Sequence, residues 1–399
     1  MIINRNLIFF LLFYSFLFQQ FWIGGISTAI KPYMIITLFS LPFVFKFSIN
    51  NKLKLPLFTL AVLIFFAYMI STTFWAANSP LALIRTTGIL LLIICFFCLY
   101  VLSDNIEPTE FVNKFYMFSK FFMLASFTYF FFGLFSYYIL HFQLGDERKL
   151  YGLYMEGILP RMRGFADSPN NYVLMVLPFF FSALLFVKKT DITFYFLSVI
   201  TVLLTYSITG YIAFALPLLY LLFARGIKTT VIVLGFGCVV VVTIIALYNH
   251  YSDFAATIDA RSDRVTTGSG RFELFWYAIK LIEDRPVLGY GLAQSRVYLE
   301  GFQGRDLQSM HNSFLEVYFE GGVIGVFLFI FCWVSLLRYL KRININRRER
   351  NILYCYVLSL LVFSSANMMV YVELMVLNIF CVCFYANLCK KNLYCRTLI

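Results

Sequence analysis

The chain has 399 residues, of which 61% are hydrophobic, 20% aromatic and only 13% charged, with a net charge of +12. Charged residues are about half the share found in ordinary globular domains, too few to cover a soluble core, so a polytopic membrane protein is predicted. The basic excess sits mostly in the gaps on one side of the apolar runs, as membrane topology requires, and gives no reason to invoke a nucleic-acid partner.

Apolar runs of roughly 17–25 residues mark helical spans. Twelve such runs start near residues 7, 33, 55, 86, 115, 172, 193, 210, 229, 314, 352 and 371. The predicted fold is therefore an all-α integral membrane protein with about twelve transmembrane helices. The first run follows Arg5 and ends without a small-x-small cleavage site, so it reads as an uncleaved first helix. Lys46, Lys52, Lys54, Lys188, Lys189, Arg225, Lys228 and the stretch "RYLKRININRRER" from Arg338 to Arg350 fall in alternate gaps. That asymmetry puts those gaps, and both termini, inside.

Residues 1–140 hold spans one to five and read as scaffold. Arg85, at the outer start of the fourth, reads as a side chain that snorkels to the interface. "CFFC" at Cys95–Cys98 lies within an apolar helix and reads as packing rather than redox chemistry. None of the nine cysteines falls in an outer loop, so no external disulfide framework is expected.

Residues 141–171 form a first outer loop that ends in "RMRGFADSPNN". Its Arg161 and Arg163 are anion-binding candidates set against the plainer reading of a solvated loop with interfacial arginines. Gly164 lets backbone or ligand approach Arg163 closely. Pro169, Asn170 and Asn171 suit the start of the sixth span. Residues 172–248 carry spans six to nine, two of which share a very short turn around Ser207–Gly210.

Residues 249–312 form a large outer loop, too long to lack function. Within it, "SGRFELFWYAIKLIED" places Phe272, Phe275, Trp276, Ile279 and Ile282 on one face, with Glu273 and Lys280 opposite. This predicts an amphipathic helix on the outer leaflet, with Ser269 as N-cap and Arg271 in its first turn, aimed at an anion. "DRPVLGYG" then turns the chain back. "HNSFLEVYFEGGVIG" opens the tenth span, and residues 313–399 carry spans ten to twelve and the C-terminus. His311 and Asn312 stand at its entry, where Asn312 can cap the helix and His311 can face headgroups. Glu316 and Glu320 lie one and two turns further in, and Gly321, Gly322 and Gly325 thin the helix for a neighbour or ligand. The span interiors are nearly free of ionisable groups and no internal repeat is visible, which speaks against a transporter. No His–His or His–Cys spacing suits zinc, so neither metal nor cofactor is expected.

Arginines suit phosphate, and a histidine can take a proton from a hydroxyl near neutral pH. A cation clamp and a base beside a lipid surface point to glycosyl transfer from a lipid-linked diphosphate. "RMRGFADSPN", "SGRFELFWYAIKLIEDRPVLGYG" and "HNSFLEVYFEGGVIG", in that order, resemble the O-antigen ligase and O-antigen polymerase superfamily. His311, Asn312, Gly322 and Gly325 match its pattern of His-Asn, nine residues, Gly, two residues, Gly. The resemblance implies a metal-independent glycosyltransferase of the bacterial inner membrane, with its active site on the periplasmic face. It implies His311 as general base and Arg271, Arg163 and Arg161 as ligands of the diphosphate. The implied donor is an undecaprenyl-diphosphate-linked glycan, and the implied acceptor is another lipid-linked repeat or the lipid A core. Membrane lipids and a chain-length regulator protein are the further candidate partners. Relatives often carry an arginine in the short turn after the seventh span, where this chain has Ile208 in "YSITG". That departure favours a polymerase over a ligase.

Overall fold

The computed structural model describes residues 5–23, 29–50, 56–104, 106–145, 148–157, 159–187, 191–224, 249–250, 259, 271–299 and 310–397. Among the described residues, the regular structure is helical apart from one small sheet. Helices α1 (Arg5–Ser15), α2 (Pro32–Asn50), α3 (Leu57–Ser71), α4 (Ser79–Ser103) and α5 (Pro108–Tyr138) come first. Strands β1 (Lys149–Leu150), β2 (Leu153–Glu156) and β3 (Leu159–Met162) follow, then α6 (Pro169–Phe186), α7 (Ile192–Leu203) and α8 (Ile208–Ala224). The last elements are α9 (Arg271–Ile282), α10 (Gln294–Tyr298), α11 (Ser313–Arg342), α12 (Arg347–Ala366) and α13 (Glu373–Thr397).

The expected count of about twelve transmembrane helices is not met. Among the described residues, six helices are long and apolar enough to cross a membrane: Leu57–Trp75, Ser79–Ser103, Pro108–Tyr138, Pro169–Phe186, Ser313–Arg342 and Glu373–Lys391. Hydropathy overcounted because an apolar run is not always one long helix. The run near residue 7 ends as a helix of 11 residues. The runs near 193 and 210 are split by the Thr205–Ser207 turn, where Tyr206 adopts φ 49°, and α7 has only 12 residues. Among the described residues, the apolar stretches Pro32–Ser48 of α2 and Ile208–Pro217 of α8 are shorter than a span needs. The first turn of α12 is Arg347, Arg348, Glu349 and Arg350, which removes a fifth of its length from any apolar window. The expected span near residue 229 lies outside the described residues, as does Ser269.

The chain divides into two compact units, Met1–Phe115 with Leu274–Ile399, and Tyr116–Glu273. In the first, an aromatic core joins the ends of the chain: Phe13 meets Phe115 edge-on at 5.2 Å, and Phe111 meets Phe384 at 4.8 Å. Such pairs add about 0.5–1.5 kcal/mol each beyond their buried area. Glu373, at the start of α13, accepts from Gln19 at 2.7 Å and pairs with Lys31 at 2.6 Å.

Helix α11 packs along α3, with Phe65 against Phe329 at 5.4 Å. It is broken at Gly322, which adopts φ 62° and ψ −162°. The break frees backbone groups that an apolar surrounding cannot satisfy. The segment Pro286–Gly291 satisfies them. Tyr290 N donates to Phe319 O at 2.8 Å and Gly291 N to Glu320 O at 2.9 Å. Val323 N donates in return to Pro286 O at 2.9 Å, and the Tyr68 hydroxyl donates to Gly321 O at 2.7 Å. The two chains approach so closely that a Cβ at Gly322 would lie 2.1 Å from Val287 O.

In the second unit, β1, β2 and β3 form an antiparallel sheet. Leu153 pairs with Met162 and Tyr154 with Arg161. Gly152 lets the hairpin sit on the Tyr129–Phe130 backbone of α5, where a Cβ would lie 2.8 Å from Phe130 N. Met162 N donates to Leu204 O at 2.8 Å, which ties the sheet to the end of α7.

Gly322→Ala should lower the thermal unfolding temperature of detergent-solubilised protein strongly, because left-handed strain of about 1–3 kcal/mol adds to the clash with Val287. Gly88→Ala, in the middle of α4 with no atom within 4 Å of the added methyl, should leave it unchanged or slightly raised.

Candidate functional site

The start of α11 is held rigidly. Asn312 is its N-cap: its side-chain oxygen accepts from Phe314 N at 2.9 Å and Leu315 N at 3.1 Å. The Ser313 hydroxyl donates to Asn367 O and accepts from Met369 N, both at 2.8 Å. Met310 is fully buried. Between these anchors His311 is exposed, with φ 49°. The left-handed conformation is uncommon for a non-glycine residue and turns the chain sharply into the helix. The expected roles thus separate. Asn312 shapes the helix end, Gly322 forms the break, and Gly325 lets Val317 O and the sulfur of Met69 come close.

Two buried carboxylates follow on α11. The Ser295 hydroxyl lies 2.7 Å from Glu316 Oε1 and 3.2 Å from Glu320 Oε1. Tyr371 donates its hydroxyl to Glu320 Oε2 at 3.0 Å, and the Ala293 backbone adds a further bond to Glu320. Arg85 from α4 and Arg296 from α10 act electrostatically on Glu316, and Arg85 also acts on Glu320. Arg85 does not simply snorkel: its guanidinium lies 5.3 Å over the Tyr371 ring. Burial, and then Arg85 beside it, push the Arg296 pKa below its ordinary value against the pull of Glu316 and Glu320. This cluster departs from the expectation of spans nearly free of ionisable groups.

What brings the cluster together is the chain reversal after α9. Gln294 exchanges hydrogen bonds with the Asn78 backbone, accepting from its N–H at 2.8 Å and donating to its carbonyl at 3.3 Å. Ala293 enters α10 at φ 62°. These constraints set Ser295 and Arg296 against α11. Helix α9 itself buries Leu274, Ala278 and Ile282 against Tyr290, Leu299, Met310 and Phe319. Trp276 and Ile279, from the predicted apolar face, remain exposed. The helix is thus apolar on two sides, one for protein and one free for lipid.

Arg161 and Arg163 belong to the second unit, His311 to the first. Arg161 donates to Thr205 O at 2.8 Å and pairs with Glu156 at 2.6 Å. It therefore sits at the turn that leads into Ile208 and α8. Arg163 is buried, donating to Leu153 O at 3.3 Å and Ala166 O at 2.8 Å. The space beside Gly164 is filled by Tyr172 and Ser126 rather than left for a ligand. Arg271 is the first residue of α9, where exposed N–H groups favour an anion. No group of His, Cys, Asp and Glu suited to a metal occurs among the described residues.

Residues 193–330 match the family described as O-antigen ligase, a span that begins in α7 and closes just past the break in α11. The match covers 138 of the 399 residues, so the likeness to that family is shown for this part of the chain. No curated protein matches it.

Asn312→Ala should cost about 0.5–2 kcal/mol of stability through the lost cap, while Asn312→Asp or Asn312→Ser should retain most of it. Thermal unfolding of the three variants tests the capping role; equal loss in all three would show that another property of Asn312 matters.

Proposed function

We propose that the protein transfers a glycan from undecaprenyl diphosphate to a sugar hydroxyl at the periplasmic face of the inner membrane, with the lipid A core as acceptor. The observation that carries this reading is the O-antigen ligase match, which includes Arg271 at the head of α9 and His311 at the entry of α11. His311 takes the proton of the acceptor hydroxyl as general base. That oxygen attacks the anomeric carbon, and undecaprenyl diphosphate leaves. Arg271 holds the diphosphate with a planar fork as charge develops on it, which lowers the barrier without a metal. Arg161, already at the Thr205 turn, stands in for the arginine missing at Ile208, with Glu156 orienting its guanidinium.

A polymerase that uses a second lipid-linked repeat as acceptor is the other reading, favoured by Ile208 itself. Both readings share the donor chemistry and differ only in what meets His311. Each places both termini in the cytoplasm.

His311→Ala should insert and fold normally yet lower turnover by about 10²–10⁴, the usual contribution of a general base. Near-normal transfer by that variant would exclude the assignment. Arg271→Lys should also fail, because a point charge does not reproduce the fork. Deletion of the gene, read on a lipopolysaccharide gel, separates the acceptors. A lost ligase leaves bare core with lipid-linked polymer accumulating, whereas a lost polymerase leaves core bearing one repeat.

A further inference from the structure

Where the span containing α3 ends, the first unit carries a pocket that glycosyl transfer does not use. A cavity of about 350 Å³ is lined by Trp75 and by Arg285, Pro286, Val287, Leu288 and Gly289, the stretch that completes α11. That volume falls in the range of small-ligand sites, ~300–1,000 Å³. Its backbone is fixed: Gly289 N donates to Arg285 O at 3.0 Å and Val323 N to Pro286 O at 2.9 Å. The Arg285 guanidinium lies 5.2 Å over the Tyr290 ring. Tyr290 in turn stacks on Phe319 at 4.7 Å and donates its hydroxyl to Leu281 O at 2.8 Å.

Two polar groups of the lining have no protein partner. Arg285 is exposed, and among the described residues its guanidinium makes no hydrogen bond or ion pair, only the contact with the Tyr290 ring. The indole N–H of Trp75 is buried and unpartnered. Both groups can only donate. No carboxylate occurs among the described residues of the lining. Asp284, next in the chain, is exposed, lies outside the lining and does not pair with Arg285. The surface around these donors is apolar: Val287 is 56% exposed, Leu288 49% and Phe74 92%. Trp75 closes the span Leu57–Trp75, so the cavity lies where hydrocarbon gives way to headgroups.

Donors left without acceptors select an anion. The exposed apolar residues then select among anions. A free phosphate would meet Arg285 but leave Val287, Leu288 and Phe74 uncovered. A neutral diacyl lipid would cover them but leave the guanidinium unmatched. An anionic glycerophospholipid does both, with its phosphodiester on the donors and its acyl chains along the apolar residues.

We propose that Arg285 and Trp75 form the headgroup site of one anionic glycerophospholipid, bound beside the segment that completes α11. Irregular backbone is poorly tolerated against hydrocarbon, and a lipid held here covers the exposed Pro286–Leu288 stretch. Neither Arg271 nor His311 lines the cavity, so the lipid binds whether or not the chain transfers glycans.

The test is native mass spectrometry of the full-length protein, released from detergent and titrated with phosphatidylglycerol, phosphatidylcholine, diacylglycerol and glycerol 3-phosphate. Phosphatidylglycerol should fill one site about tenfold more tightly than diacylglycerol or glycerol 3-phosphate, as a charge-assisted hydrogen bond contributes. It should also exceed phosphatidylcholine, whose own ammonium offsets its phosphate. Arg285→Gln should abolish the advantage over diacylglycerol, together with the rise in thermal unfolding temperature that phosphatidylglycerol gives the parent. Arg285→Lys keeps the charge without the fork, and Trp75→Phe keeps the ring without the N–H. Each should weaken binding severalfold, and they carry the test if the glutamine variant does not fold. Equal binding of diacylglycerol or phosphatidylcholine overturns the anion. Equal binding of glycerol 3-phosphate overturns the lipid. Undiminished phosphatidylglycerol binding by folded Arg285→Gln overturns the site.

Discussion

The structure of the first unit depends on one reciprocal exchange of backbone hydrogen bonds, between the break at Gly322 and the Pro286–Gly291 segment. An unsatisfied backbone group in an apolar surrounding costs several kcal/mol, so a broken spanning helix persists only where another chain completes it. Here the completion runs both ways, with Tyr290 and Gly291 donating and Pro286 accepting. Because the segment is fixed there, α10 is fixed against α4 and α11, and Ser295 and Arg296 reach the carboxylates of Glu316 and Glu320. The same exchange holds Tyr290 in the core that α9 packs on. Helix, loop and charge cluster are consequences of a single glycine that no other residue can replace.

The buried charges follow the logic of a low-dielectric site. Two carboxylates one helical turn apart cannot stand in an apolar helix without hydrogen bonds and compensating cations. Ser295 and Tyr371 supply the bonds, and Arg85 and Arg296 supply the field. The arginines remain separate from the carboxylates, so the compensation leaves hydrogen-bonding capacity unspent. In the second unit the opposite choice is made. Arg163 is fully engaged with carbonyls of its own loop, and Arg161 with Glu156 and Thr205, so these side chains define the loop's shape as well as its charge.

Much of this was legible in the residues, and the failures have physical causes. The helix beginning at Arg271 was plain from its periodicity, but its buried seam is Leu274, Ala278 and Ile282 rather than the larger aromatics. A helix lying between protein and lipid is apolar on two sides, and periodicity cannot say which side meets which. Asn312 as a cap was legible because capping is local. Gly322 and Gly325 were legible as small residues, but the left-handed turn at Gly322 needs Val287, a partner 35 positions away. In the sequence Arg85 reads as a snorkelling side chain, and nothing in the residues around Arg296 sets it apart. A signal was present all the same: Glu316 and Glu320 sit four residues apart in an apolar run, and buried carboxylates there require cations from elsewhere. The span count differs because hydropathy sums composition, whereas the turn at Tyr206 and the charged first turn of α12 decide how far an apolar helix runs.

The break in α11 also sets an order on how the protein is made. The segment that completes the helix is synthesised before the helix itself. When Glu316–Val323 emerges, Pro286–Gly291 already exists and can be captured at once, so the kinked form never waits for a partner still inside the ribosome. A chain in which the completing strand came later would pass through a stage with a straight helix, or with bare carbonyls in lipid. Sequence order thus works here as an assembly instruction, and a rearranged chain with the same contacts would lose it.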